Sequence, residues 1–148
     1  MLWLLRHAEA MDGHPDDTRP LTERGVMQAT DVGLALARLG AMIDVCLASP
    51  KRRAVQTAEL ACEPLGLTVT IEPRLAGEPF DVEDLTAGLE NVLLVGHDPS
   101  FSFTLHDLTG VQARMRKGGL ACIHKGELMT LLRPAELSAI AGAREAVA

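Results

Sequence analysis

Two apolar runs, LWLL at residues 2–5 and VLLV at residues 92–95, each break off at a histidine, the first through Arg6-His7 and the second through Gly96-His97. Runs this short and this uniformly apolar suit strands buried on both faces, and such strands belong in a largely parallel sheet covered by helices. The intervening sequence alternates as that arrangement requires. Thr22 is placed to cap a helix over 23–39 in which Val26, Ala29, Val32, Leu36 and Leu39 recur every three or four residues, with Gly40 as its stop. A third apolar run, 43–48, ends at Ser49-Pro50, and a helix is expected over 51–63, before Pro64 and Gly66 interrupt it.

The β-branched stretch 67–71 predicts a partly exposed strand, 72–81 an irregular excursion, 82–89 a short helix and 100–108 another. Residues 120–124 and 127–132 read as two strands joined tightly through Lys125-Gly126, and Pro134 opens a final Ala-rich helix that runs into a small-residue tail. No repeat, charged tail or linker divides the chain. The expectation is a single α/β domain over 1–148 with a mixed, mostly parallel sheet, antiparallel where the last two strands pair.

Composition narrows the function. Twenty acidic against fourteen basic residues give a formal charge of -6, which disfavours a surface built for nucleic acid, and one Trp, three Phe and no Tyr leave no aromatic platform for stacking bases. Cys46, Cys62 and Cys122 form no CxxC pair, so neither a zinc knuckle nor a redox motif is supported, and the odd count suits a reducing compartment. The run MLWLL meets Arg6 too early for a signal-peptide core, and nothing approaches the ~18 apolar residues of a membrane span. The plain reading is a soluble, cytoplasmic protein with no membrane partner.

Chemistry is expected where strands end, because side chains just beyond the carboxyl ends of parallel strands converge on one crevice. Arg6-His7, Gly96-His97 and Ser49-Pro50-Lys51-Arg52-Arg53 all occupy such places. Three consecutive basic residues cannot all face one pocket, and Arg53 is the one expected to turn inward with Ala54 and Thr57. Two arginines that grip phosphate oxygens, a neutral histidine as nucleophile and a second histidine as donor suit phosphoryl transfer without a metal. Asp12, Asp16, Asp17, Glu78 and Asp81 lack a recognised metal-ligand spacing and read as loop carboxylates. Arg114, Arg116 and Lys117 form a second basic cluster that fits either a phosphate or acidic partner or a solvated loop, and Gln28 and Arg24 fit either the site's entrance or a solvated helix face.

Four blocks in order, LLRHAEA at 4–10, LTERG at 21–25, SPKRRAVQTAE at 49–59 and VLLVGHDPSFS at 92–102, resemble the histidine phosphatase, or phosphoglycerate-mutase-like, superfamily. RHA in place of the commoner RHG resembles its SixA-type phosphohistidine phosphatases. The resemblance implies a three-layer α/β/α fold and no metal or other cofactor. It makes His7 the nucleophile that is transiently phosphorylated, Arg6 and Arg53 the phosphate ligands, and His97 the second core histidine. Glu78, in the excursion where many relatives carry a general acid, stays open between proton relay and turn carboxylate. The implied activity is hydrolysis of phosphohistidine on a signalling or phosphotransfer protein. A small phosphorylated metabolite is the alternative substrate, and a non-catalytic phosphoprotein-binding module is the reading that intact His7 and His97 weigh against. The brevity of 72–91 leaves little material for a lid.

Overall fold

The computed structural model describes residues 1–142, and the small-residue tail expected after the last helix lies outside them. Six strands, β1 (Leu2–Arg6), β2 (Val45–Ala48), β3 (Val69–Ile71), β4 (Val92–Gly96), β5 (Leu120–His124) and β6 (Glu127–Leu132), form one sheet in the order β3-β2-β4-β1-β5-β6. β3, β2, β4 and β1 are parallel, while β5 runs antiparallel to β1 and to β6. Four α-helices join them, α1 (Glu23–Arg38), α2 (Arg52–Cys62), α3 (Val82–Leu85) and α4 (Ser100–Thr109), and α5 (Pro134–Ala141) follows β6.

The strands alternate between two cores. Trp3, Leu5, Cys46, Ala48, Leu93 and Val95 pack with Val32 and Leu36 of α1, Ala54 and Ala58 of α2 and Leu137 of α5. Leu4, Leu47, Val92 and Leu94 face the other way, onto Leu85 of α3 and Phe101 and Leu105 of α4. A sheet buried on both faces explains why its central strands are written as unbroken apolar runs, and the three-layer α/β/α architecture stands.

Several bounds differ from the sequence expectation for local reasons. Thr22 caps α1 through its side chain, which accepts from Gly25 N, but Val26 and Leu39 are exposed. The buried stripe runs through Gly25, Ala29, Val32, Gly33 and Leu36 instead, because α1 packs so closely that a Cβ on Gly25 would collide with the Glu9 carbonyl. The apolar residues of 43–48 and 67–71 contribute shorter strands than their runs suggest, with Ile43 and Leu67 packing against the core from outside β2 and β3. α3 stops at Leu85, four residues earlier than expected, where the chain turns with Leu89 N donating to Thr86 O and Gly88 at φ +75°. All three cysteines are buried thiols. No helix among the described residues is long and apolar enough to cross a membrane.

Candidate active site

The register of the sheet brings the strand-end residues together. Arg6 pairs with Gly96 across β1 and β4, and Ala48 pairs with Val95 across β2 and β4, so the three strands end level. His7 N donates to Gly96 O at 2.9 Å and Ser49 N donates to Val95 O at 3.0 Å, which extends the ladders by one residue past the assigned strands. The two histidine rings consequently lie 5.2 Å apart, centroid to centroid, tilted by 55°. Gly96 permits this ending by its missing side chain, since a Cβ there would stand 2.8 Å from the Phe101 ring of α4.

His7 is 7% exposed, and its Nδ1 lies 2.8 Å from the Ala8 carbonyl oxygen. A carbonyl can only accept, so Nδ1 carries the proton and the Nε2 lone pair of the neutral ring is free. The neutral ring is also the favoured one. Burial lowers the pKa from 6.5 to about 4, with the charges of Arg53, Arg6 and Lys117 pushing the same way against the Ala8 hydrogen bond. Behind His7, Ala8 N donates to Thr57 Oγ1, whose hydroxyl in turn donates to Arg53 O within α2. His97 is 5% exposed, and burial together with the neighbouring His7 and Arg53 lowers it to about 3. Its Nε2 lies 2.8 Å from Ser49 Oγ, which also accepts from Lys51 N at 3.2 Å.

The two arginines reach this pair from opposite sides of the sheet. Arg53, in the first turn of α2, is 5% exposed, whereas Arg52 beside it is solvated and Lys51 is half-buried, as the single-inward expectation required. Arg53 Nη1 donates to the Asp16 carbonyl at 2.9 Å and Nη2 to Asp16 Oδ2 at 3.2 Å. Half-buried Arg6 donates from Nη1 to the Met115 carbonyl at 2.8 Å, on the α4 side. Its pKa is lowered by burial and by the like charge of Arg114, with Asp98 opposing. Among the described residues three buried side-chain polar atoms have no partner: Trp3 Nε1, Arg6 Nε and Arg53 Nε. Two of the three thus belong to the arginines flanking His7. Both Nε atoms are out of solvent's reach, and the remaining N–H groups of each planar fork are the donors that can grip the oxygens of a phosphate or carboxylate.

Other residues take places that spacing does not disclose. Asp16, read from sequence as a loop carboxylate, lies within 3.2 Å of Arg53, 3.5 Å of Lys51 and 3.0 Å of Arg19, and hydrogen bonds from Arg19 and Arg53 hold its pKa at about 2. Met115 is fastened by Ser102, whose Oγ accepts from Met115 N and whose hydroxyl donates to Asp98. Gly118 N donates to the carbonyls of Arg6 and His7, which brings Lys117 to the site although its side chain is exposed. Gln28 Oε1 accepts from Glu9 N just after the His7 loop, while Arg24 is solvated. Glu78 is exposed on the excursion, in a surface depression shared with Arg74, Phe80, Asp81 and Asp84, and among the described residues it makes no hydrogen bond or ion pair with Arg6, His7, Arg53 or His97. A cleft of about 580 Å³ opens next to Arg6, lined by Asp98, Phe103, His106 and Arg114.

Comparison with known proteins agrees with this fold. The protein histidine phosphatase SixA complexed with tungstate superposes with a TM-score of 0.79 at 24% identity, over 92% of this chain and 98% of that one. A SixA-type chain of Agrobacterium tumefaciens gives 0.81 at 23%, over 90% and 97%. A phosphoserine phosphatase of Entamoeba histolytica in complex with 3-phosphoglyceric acid gives 0.65 at 17%, over 88% and 95%. At these identities the likeness establishes the fold. The mitochondrial serine/threonine-protein phosphatase Pgam5 of Drosophila virilis is 45% identical over 58 residues, 38% of this chain, and the chain spans only 20% of that relative's length. The family model described as "Histidine phosphatase superfamily (branch 1)" matches residues 2–81, just over half of the 148. That stretch carries Arg6, His7 and Arg53 into a site completed by His97, and the chain belongs to the histidine phosphatase superfamily.

Proposed function

We propose that the chain is a phosphatase that hydrolyses phosphohistidine on a protein through a phospho-His7 intermediate. The observation that carries this reading is the pair of guanidinium groups, Arg6 and Arg53, whose charges both act on a buried histidine whose Nε2 lone pair is free. The two forks bind the phosphate oxygens and leave phosphorus in front of His7. Nε2 forms a P–N bond as the substrate's own P–N bond breaks, and the leaving imidazole takes the electron pair and a proton. Water then attacks phosphorus, the P–Nε2 bond breaks, and inorganic phosphate leaves neutral His7 behind. His97, whose ring is hydrogen-bonded to Ser49 Oγ through Nε2, is the second histidine that supports the phosphate oxygens. The likeness to the tungstate-bound SixA supports oxyanion binding, and the open cleft beside Arg6 suits a side chain carried on a protein surface.

Hydrolysis of a phosphomonoester through the same intermediate is the second reading. It is supported by the 45% identity over 58 residues to a serine/threonine-protein phosphatase, and its oxygen leaving group needs an acid more than a protonatable imidazole does. One experiment separates the two. A phosphohistidine protein and several phosphomonoesters are offered to the wild type and to His7→Ala, while acid-labile phosphate is sought on the wild type. Turnover is expected to vanish in H7A, with the protein phosphohistidine preferred. Undiminished H7A turnover overturns the mechanism, and preference for a monoester overturns the substrate.

A further inference from the structure

Asp16 stands outside the four residues placed in the chemistry, yet its oxygens hold the buried arginine among them. Its main-chain carbonyl accepts from Arg53 Nη1 and its Oδ2 from Arg53 Nη2, so both contacts fall on the end of the guanidinium remote from Nε. We propose that Asp16 is a positioning residue of the site, occupying one N–H of each Nη of Arg53 so that the guanidinium is held with its remaining N–H donors available to phosphate. The proposal rests on reading the cluster of Arg6, His7, Arg53 and His97 as the phosphate site.

Donor arithmetic supports the division of labour. A guanidinium carries five N–H groups in one plane. Two of those of Arg53 go to Asp16, and its Nε has no partner among the described residues. A long side chain left unpinned would sample several rotamers and lose that entropy each time phosphate bound. The anchor is itself anchored, since Oδ1 accepts from Arg19 Nε at 3.0 Å and Lys51 Nζ stands 3.5 Å from Oδ2. A carboxylate serving only solubility has no need of three cations, one from its own loop and two from the start of α2. Its negative charge also reaches His97, where it favours the protonated ring against the surrounding cations.

The test is inorganic phosphate binding, followed by NMR of the histidine side chains, in wild type, Asp16→Ala, Arg53→Ala and the double variant, each with its melting temperature. D16A is expected to weaken phosphate about tenfold with Tm unchanged, and to change it less than about twofold when Arg53 is already absent. KM should rise with Kd while kcat falls less. Unchanged binding in D16A overturns the assignment, as does an equal loss in both backgrounds, because Asp16 would then not act through Arg53. If D16A does not fold, Asp16→Asn, which retains an acceptor oxygen but not the charge, is read by the same cycle. A wild type that binds no phosphate overturns the phosphate-site reading and this proposal together. Retained turnover in H7A, with phosphate binding intact, removes only the phospho-His7 mechanism.

Discussion

Arg6 and Arg53 flank the same histidine and are held in unlike ways. Arg6 ends a strand, and its anchor is a neutral main-chain carbonyl on the segment 111–119, fastened through the chain Asp98–Ser102–Met115. Arg53 begins a helix, and its anchor is a carboxylate residue that bridges two further cations. The first arrangement is as rigid as the docking of one segment. The second depends on charge. Two equivalent donors can therefore be positioned by different physics, and substitutions should tell them apart.

The largest effect expected is on the arginines themselves. Arg6→Ala and Arg53→Ala should each lower kcat/KM by about 10²- to 10³-fold, and lysine should restore little because it offers no planar fork. Steady-state kinetics on one substrate settles this; if either alanine variant loses less than about tenfold, the two arms are not equivalent and the phosphate leans on the other.

Acid stability should sharpen the contrast. His7 titrates near 6.5 when unfolded and about 4 when folded, so its contribution is fully present above pH 6.5 and is lost as the pH falls toward 4. The loss is on the order of a few kcal/mol at about 1.36 kcal/mol per pH unit, and His97, lowered to about 3, adds to it in the same direction. Melting curves between pH 7 and 4.5 should show Tm falling with acidification, less so in His7→Ala. Because the charge of Arg53 weighs on His7 more than that of Arg6, R53A should raise the NMR-measured His7 pKa further than R6A.

Gly96→Ala drives a methyl into the Phe101 ring on the Arg6 side and should cost about 1–3 kcal/mol in denaturant melts. An unchanged midpoint would show that α4 gives way readily there. The smallest effect belongs to Ser102→Ala, which unfastens Met115. A loss of about 1 kcal/mol and a few-fold rise in KM are expected, and a rise equal to that of R6A would mean that the segment has no other hold on the arginine.

The parts legible in the sequence share a cause. LWLL and VLLV are buried on both faces, so their burial is written in consecutive letters, and the histidines that end them inherit their positions from the strands. Arg53 was legible because α2 has an inside and an outside. Asp16 was not: nothing in a loop of mixed charges pairs residue 16 with residue 53, and the contact exists only once α2 and the loop are packed together. The hold on Arg6 was still less visible, since a main-chain carbonyl such as that of Met115 is common to every residue type. Val26 and Leu39 show the reverse error. Apolar letters at helical spacing suggested burial, while Gly25 and Gly33 took the inner stripe because close approach requires the absence of a side chain.

The strand order has a consequence for how the protein is made. β1 and β2 never pair with each other; β4 lies between them, some 90 residues after β1 in the chain. The first half of the polypeptide therefore leaves the ribosome with its central strands unjoined and His7 unaccompanied. Contacts of such long sequence separation form slowly. Insertion of the five-residue β4 joins β1 to β2 and sets the two histidines side by side, so the pair exists only after that strand has docked.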